Sequence, residues 1–136
     1  MLPALCAVVL LACTSAGKSE AASLSVAVER YRMANNASKG GTADALDKTA
    51  CSVPDVCETK RLCVAVSDPT SRALALKNEV ERGLSDVRTG KLASDSPKAR
   101  ELPDKLEEAA RLLEAGHAAL PECDGKLMAL KRHYGI

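Results

Sequence analysis

The sequence predicts an all-α fold: a small, irregular, antiparallel bundle of about four to five helices, braced by disulfides and preceded by a signal segment. Three observations carry that expectation. The 136 residues include no Phe, no Trp and only two Tyr. Large aromatic side chains normally supply much of a core's buried area, so a core of Leu, Val and Ala must be thin. A thin core suits closely approaching helices better than a β-sandwich. Ala and Leu are strong helix formers, and the β-branched and aromatic residues that favour strands are sparse. Finally, apolar residues recur at three- and four-residue spacing between Pro and Gly punctuation.

The elements follow in order along the chain. Leu2 to Ala12 is an uncharged apolar run of the length of a signal-peptide core, short of the roughly 20 residues that a membrane-spanning helix needs. Thr14 to Ala22 is small and polar, as a tether would be. A first helix is expected over about Ala22 to Asn36, with Leu24, Ala27, Val28, Tyr31 and Ala34 at helical spacing. Asn35-Asn36 and Lys39-Gly40-Gly41 end it. A short helix from Thr42, read as its N-cap, leads to Cys51. Pro54 opens the next helix, to about Val66, because proline's missing N–H costs nothing in a first turn.

Asp68-Pro69 reads as a fresh N-terminus, opening a helix that buries Ala73, Leu76, Val80, Leu84 and Val87 and stops near Gly90. Lys91 to Pro97 is a polar loop. A long helix then carries Leu102, Leu106, Ala109, Leu113, Gly116 and Leu120 as an apolar stripe, with Pro103 in its first turn. Pro121 is expected to start a last helix with Cys123, Leu127, Leu130 and Tyr134 facing inward. Short connections between such helices imply antiparallel neighbours.

The apolar run at the N-terminus ends in Leu10-Leu11-Ala12-Cys13, which resembles the lipobox of bacterial lipoproteins. An aliphatic residue stands at the third position before the cysteine, and a small residue directly before it. The resemblance implies cleavage behind Ala12 and diacylation of the Cys13 thiol. Cys6 matches less well, because Pro3 occupies the aliphatic position. The segment departs from the class in having no Lys or Arg ahead of the apolar run, which points to a start upstream or a weak signal. The expected organisation is a signal peptide over 1–12, a lipidated tether over 13–22 and a single helical domain over 23–136. Membership of that class also implies a place in the bacterial cell envelope, lipid-anchored and facing the periplasm or the cell surface. Thr14 rather than Asp after the cysteine goes with the outer membrane.

Cys51, Cys57, Cys63 and Cys123 remain once the leader and the lipidated cysteine are set aside. An even number in a small exported domain reads as disulfides. Structural zinc competes, but its ligands come in close pairs such as C-x-x-C, and here the spacing is C-x5-C-x5-C. Cys57 and Cys63 on one helix would lie about 9 Å apart along its axis and on different faces, beyond the roughly 7 Å that a disulfide spans. Cys51 and Cys57 flank the Pro54 turn. The expected bonds are therefore Cys51–Cys57 and Cys63–Cys123.

Composition argues against several functions. The net charge is +1, with acidic and basic residues interleaved. No basic stripe and no aromatic platform marks a nucleic-acid surface. His117 and His133 read as surface residues near helix C-termini, where a cation suits the dipole. No nucleophile elbow, zinc-protease motif or P-loop occurs. Glu107-Glu108 are successive helical residues and point apart. Axial haem ligation by Met33 or Met128 with His117 is a pattern that any bundle with a few Met and His allows. Asn36-Ala37-Ser38 matches the glycosylation acceptor N-x-S, a chance triplet in the bacterial setting that the lipobox resemblance implies. The chain is thus expected to be no enzyme and to need no cofactor or metal. A non-enzymatic binding or structural lipoprotein, contacting the membrane by its anchor and an envelope protein by its helical surface, fits best. The alternative is a carrier of a small lipid or acyl chain.

Overall fold

A computed structural model of the chain describes the backbone of residues 5–136 and the side chains of residues 15–136. It is all-α among the described residues: α1 spans Leu5–Met33, α2 Lys39–Asp47, α3 Pro54–Arg88, α4 Pro97–Arg100 and α5 Leu102–Tyr134.

The largest interface is the antiparallel hairpin of α3 and α5. Cys63 is bonded to Cys123, Val66 and Thr70 face Gly116, Glu79 pairs with Lys105, and Gly83 lies under Leu102. The two helices therefore stay in register for their whole length. At 1.5 Å per residue, the 35 residues of α3 extend about 50 Å. α1 and α2 cover only one end of this rod. There Ala21, Leu24 and Val28 of α1, Leu46 of α2, Val56, Cys63 and Val66 of α3, and Cys123, Leu127 and Leu130 of α5 form one buried cluster.

Specific residues explain the ends of the elements. Asn35 accepts hydrogen bonds from the Ser38 backbone N–H (3.0 Å) and hydroxyl (2.9 Å), which turns the chain out of α1. Lys39 Nζ donates to the carbonyls of Tyr31, Arg32 and Ala34, satisfying acceptors that a helix C-terminus leaves free. It also sits 4.5 Å from the centroid of the Tyr31 ring. The Ser96 hydroxyl accepts from the Ala99 N–H with Pro97 at the first helical position, an ordinary N-cap. Gly135 ends α5 with φ +66°, a backbone conformation in which glycine has no steric penalty.

Three boundaries differ from expectation. Thr42 is not an N-cap: α2 already runs from Lys39, and the Thr42 hydroxyl donates to the Ser38 and Lys39 carbonyls. Residues 15–22, expected as a tether, are helical, with Ala21 fully buried. The packed domain thus begins before position 23. Small residues are what a close helix contact selects, and Gly17 shows it: a Cβ there would lie 2.6 Å from the Tyr134 hydroxyl oxygen.

The third difference concerns proline. Pro69 and Pro121 start no helices; each lies inside one. An interior proline removes one backbone hydrogen bond and crowds the preceding turn, at a cost of about 3 kcal/mol. Here tertiary contacts offset it. Pro69 lies against the Gly116 site, Pro121 stands two residues before the bonded Cys123, and Val66, Ala73, Cys123 and Leu127 are buried around them. Packing on both sides of each proline holds the successive turns on one axis.

Candidate functional site

Both expected disulfides are present, Cys51–Cys57 with a Cα separation of 5.2 Å and Cys63–Cys123 with 4.7 Å. Their settings differ. Cys63 and Cys123 are 1% and 2% exposed in the middle of the core, whereas Cys51 and Cys57 are half-buried beside the first turn of α3. The short bridge fixes how the α2–α3 loop enters α3, and the long one clamps α5 to α3.

The end of the bundle where α1 enters is a polar junction. The Glu20 carboxylate of α1 accepts from the Ser52 hydroxyl (2.6 Å), the Ser52 N–H (2.8 Å) and the Val53 N–H (3.3 Å). It thereby holds the two residues that lead into α3, whose own N-cap, Val53, has no side-chain acceptor; the Val56 N–H donates to Asp55 instead. These bonds, led by that from the Ser52 hydroxyl, lower the Glu20 pKa. Beside them the Tyr134 hydroxyl donates to Asp55 at 3.1 Å. Tyr134 has its pKa raised by desolvation first and by the Asp55 carboxylate next. Glu20 thus ties α1 to the start of α3, and Tyr134 ties the end of α5 to the same turn. Cys13 lies four residues before Gly17 on α1, but its side chain falls outside the described residues, as does that of Cys6.

Other singled-out residues are not brought together. His117 is exposed in an open cleft of about 350 Å³ with Arg32, Lys39 and Thr70. His133 is exposed and meets Tyr134 edge-on at 4.7 Å. Met33 is 80% exposed at the end of α1, and Met128 is 57% exposed. Met128 and His117 are eleven positions apart on α5, about 16 Å of helical rise. Glu107 and Glu108 each face Arg111, at 3.6 and 2.8 Å, on a solvated helix face. Among the described residues no group of three or more His, Cys, Asp or Glu is placed to hold a metal ion. Nor is any helix among them long and apolar enough to cross a membrane.

The stripe expected to be buried along the hairpin splits in two. Ala73, Val80, Leu102 and Ala109 are buried, but Leu84, Leu106 and Leu113 are 57%, 52% and 45% exposed. The reason is the length of α1. Tyr31, Val66, Leu113 and Leu120 line the cleft that holds His117, and α1 ends two residues after Tyr31, at Met33. Beyond that point α1 does not reach the hairpin, and Ser94 and Ala99 of the connecting segment lie beside its tip instead. There Val80, Leu84, Val87, Leu102 and Leu106 line a second cleft of about 330 Å³. Residue periodicity alone had no means of showing where α1 stops.

Compared with protein-family models, curated proteins and solved structures, the chain matches none.

Proposed function

We propose that this chain is an exported lipoprotein of the bacterial cell envelope, anchored through Cys13, that acts by binding rather than by catalysis. The observation that carries the reading is the pairing of all four cysteines downstream of Cys13 into two disulfides. Such bonds persist in oxidising compartments and are rare in the cytosol. Two or more acyl chains on Cys13 would hold the domain stably at a membrane surface, where one alone would be marginal. An anchor at that position puts the Glu20–Ser52–Tyr134 junction next to the lipid and projects the hairpin tip away from it. The favoured membrane is the outer one, and the favoured partner is an envelope protein that meets the helical surface.

The test is the intact mass of the membrane-extracted chain, with and without reductant. The expected species lacks residues 1–12, carries acyl mass on Cys13 and gains about four hydrogens on reduction, two for each disulfide. A chain with a free Cys13 thiol and its leader retained overturns the anchoring.

One observation favours the alternative, a carrier of a small lipid or acyl chain. Two clefts of about 480 and 440 Å³ lie between α1 and α2 and share Val26, Arg30 and Thr42. Ligand sites begin at about 300 Å³ but normally enclose most of the ligand, and these are open to solvent. Native mass spectrometry of the gently extracted chain separates the readings. A carrier retains a second, non-covalent lipid; the anchored binding protein shows only the covalent one.

A further inference from the structure

We propose that the end of the bundle nearest Cys13 docks on anionic phospholipid headgroups, which Lys18 of α1 and Lys131 and Arg132 of α5 meet. The proposal rests on the anchoring through Cys13 argued above. It adds a second contact with the same membrane, apart from the helical surface left for a protein partner.

The first argument is height above the lipid. Cys13 stands four residues before Gly17 on α1, about 6 Å of helical rise. Gly17 packs against Tyr134, the last residue of α5. Acyl chains on Cys13 would therefore hold the end of α5 close to the headgroups. Lys131 lies three residues before Tyr134, about 4.5 Å further along the axis. The sum is about 10 Å, equal to the screening length at 0.1 M salt. Lys18 is nearer still, five residues from Cys13 or about 7.5 Å. Lys91 and Lys98 sit at the opposite end of the hairpin, about 50 Å away.

The second argument is charge. Among the described residues, Lys18, Lys131 and Arg132 enter no salt bridge. Arg132 Nε donates to the Met128 carbonyl at 3.5 Å, which uses one of the five N–H groups of a guanidinium. The acids at this end are differently placed. Glu20 accepts from Ser52 and Val53, and Asp55 accepts from Tyr134 and the Val56 N–H. Both carboxylates stand at the N-terminus of α3, whose dipole offsets part of their charge. Asp47 and Lys48 are chain neighbours and cancel.

The third argument weighs the local reason for each cation. Lys131 and Arg132 lie in the last turn of α5, where they also suit its dipole. Lys18 lacks that reason, because cleavage behind Ala12 would leave it near the N-terminus of α1, where the dipole offers a cation nothing. One anionic surface accounts for all three. Each cation close to an anionic membrane strengthens binding about fivefold, so three give on the order of a hundredfold.

The test uses the lipidated chain in vesicles of phosphatidylcholine, alone or with about a third phosphatidylglycerol, labelled by a water-soluble acetylating reagent and read by peptide mass spectrometry. At about 50 mM salt, Lys18 and Lys131 should be acetylated at least about fivefold more slowly on the mixed vesicles. Lys91 and Lys98 should react alike on both. Raising the salt to about 0.5 M should erase the difference. Arg132→Gln should weaken the protection of Lys131 at unchanged helical circular dichroism. A chain that carries acyl mass yet labels Lys18 and Lys131 equally on both vesicles overturns the headgroup contact and leaves the anchoring intact. A chain without acyl mass on Cys13 overturns both. Equal protection by glycerol phosphate without vesicles, or a protein cross-linked through Lys18 or Lys131 in native envelopes, refutes the lipid as the partner.

Discussion

Gly116 and Gly125 stand on the same helix, nine residues apart, and alanine should act in opposite directions at the two. In a helix interior Gly→Ala gains about 1 kcal/mol from backbone propensity. At Gly125 nothing lies within 4 Å of an added Cβ, so that gain should appear almost whole, as about 0.5–1 kcal/mol of added stability. At Gly116 the added Cβ would overlap Thr70 Oγ1 and lie 3.0 Å from the Val66 carbonyl oxygen. Thr70 is not free to swing away without loss, because its hydroxyl donates to that same carbonyl at 2.8 Å. Overpacking a tight contact costs about 1–3 kcal/mol. Losing the Thr70 hydrogen bond adds about 1 kcal/mol. Set against the propensity gain, Gly116→Ala should destabilise by about 1–3 kcal/mol and separate from Gly125→Ala by about 2–4 kcal/mol. Urea unfolding of the oxidised proteins, compared at constant m, measures the difference. A Gly116→Ala protein as stable as the parent would refute the close α3–α5 crossing on which the packing argument rests.

Three further outcomes follow from the same structure. Replacing both Cys63 and Cys123 with Ala should cost about 4 kcal/mol and replacing Cys51 and Cys57 about 2, because the closed loops differ tenfold in length, 60 residues against 6; equal losses in urea titrations would contradict the loop-entropy account. Pro121 is exposed inside α5, so Pro121→Ala, which restores one backbone hydrogen bond, should raise stability by about 1–2 kcal/mol in the same titration; a loss would mean that the ring is itself a packing element. Glu20 has a depressed pKa in the folded chain, so its contribution is present at neutral pH and declines as the pH falls from the ordinary glutamate range through the lowered folded value. Thermal midpoints measured across that range should therefore drop less steeply in Glu20→Gln than in the parent, and parallel curves would exclude the Glu20 bonds to Ser52 and Val53 as the cause.

How much was legible in the residues depended on whether a signal was local. The all-α class followed from composition and apolar spacing, which each segment carries by itself. The ends of α1 at Asn35 and of α3 near Gly90, and the start of α3 at Pro54, followed from local backbone chemistry. The Cys63–Cys123 bond was within reach because a helix's fixed rise forbids Cys57–Cys63 and the turn at Pro54 claims Cys51 and Cys57. The Glu20 bonds to the residues leading into α3 and the Lys39 cap on α1 had no comparable signal. Both join a charged side chain to backbone groups on a different segment, and a charge in a helical pattern reads as a solvated face.

The sequence by itself determined the all-α class, the disulfide partners and the Leu10–Cys13 pattern on which the anchoring proposal stands, because propensity, spacing and turn chemistry act over a few residues. Only the tertiary structure decided that Pro69 and Pro121 interrupt nothing, that residues 15–22 are packed helix, and that Leu84, Leu106 and Leu113 face solvent. Those outcomes depend on what lies opposite each residue. A proline is tolerated where packing holds both flanking turns, and a leucine is buried only where another helix reaches it. Here α1 is too short to do so.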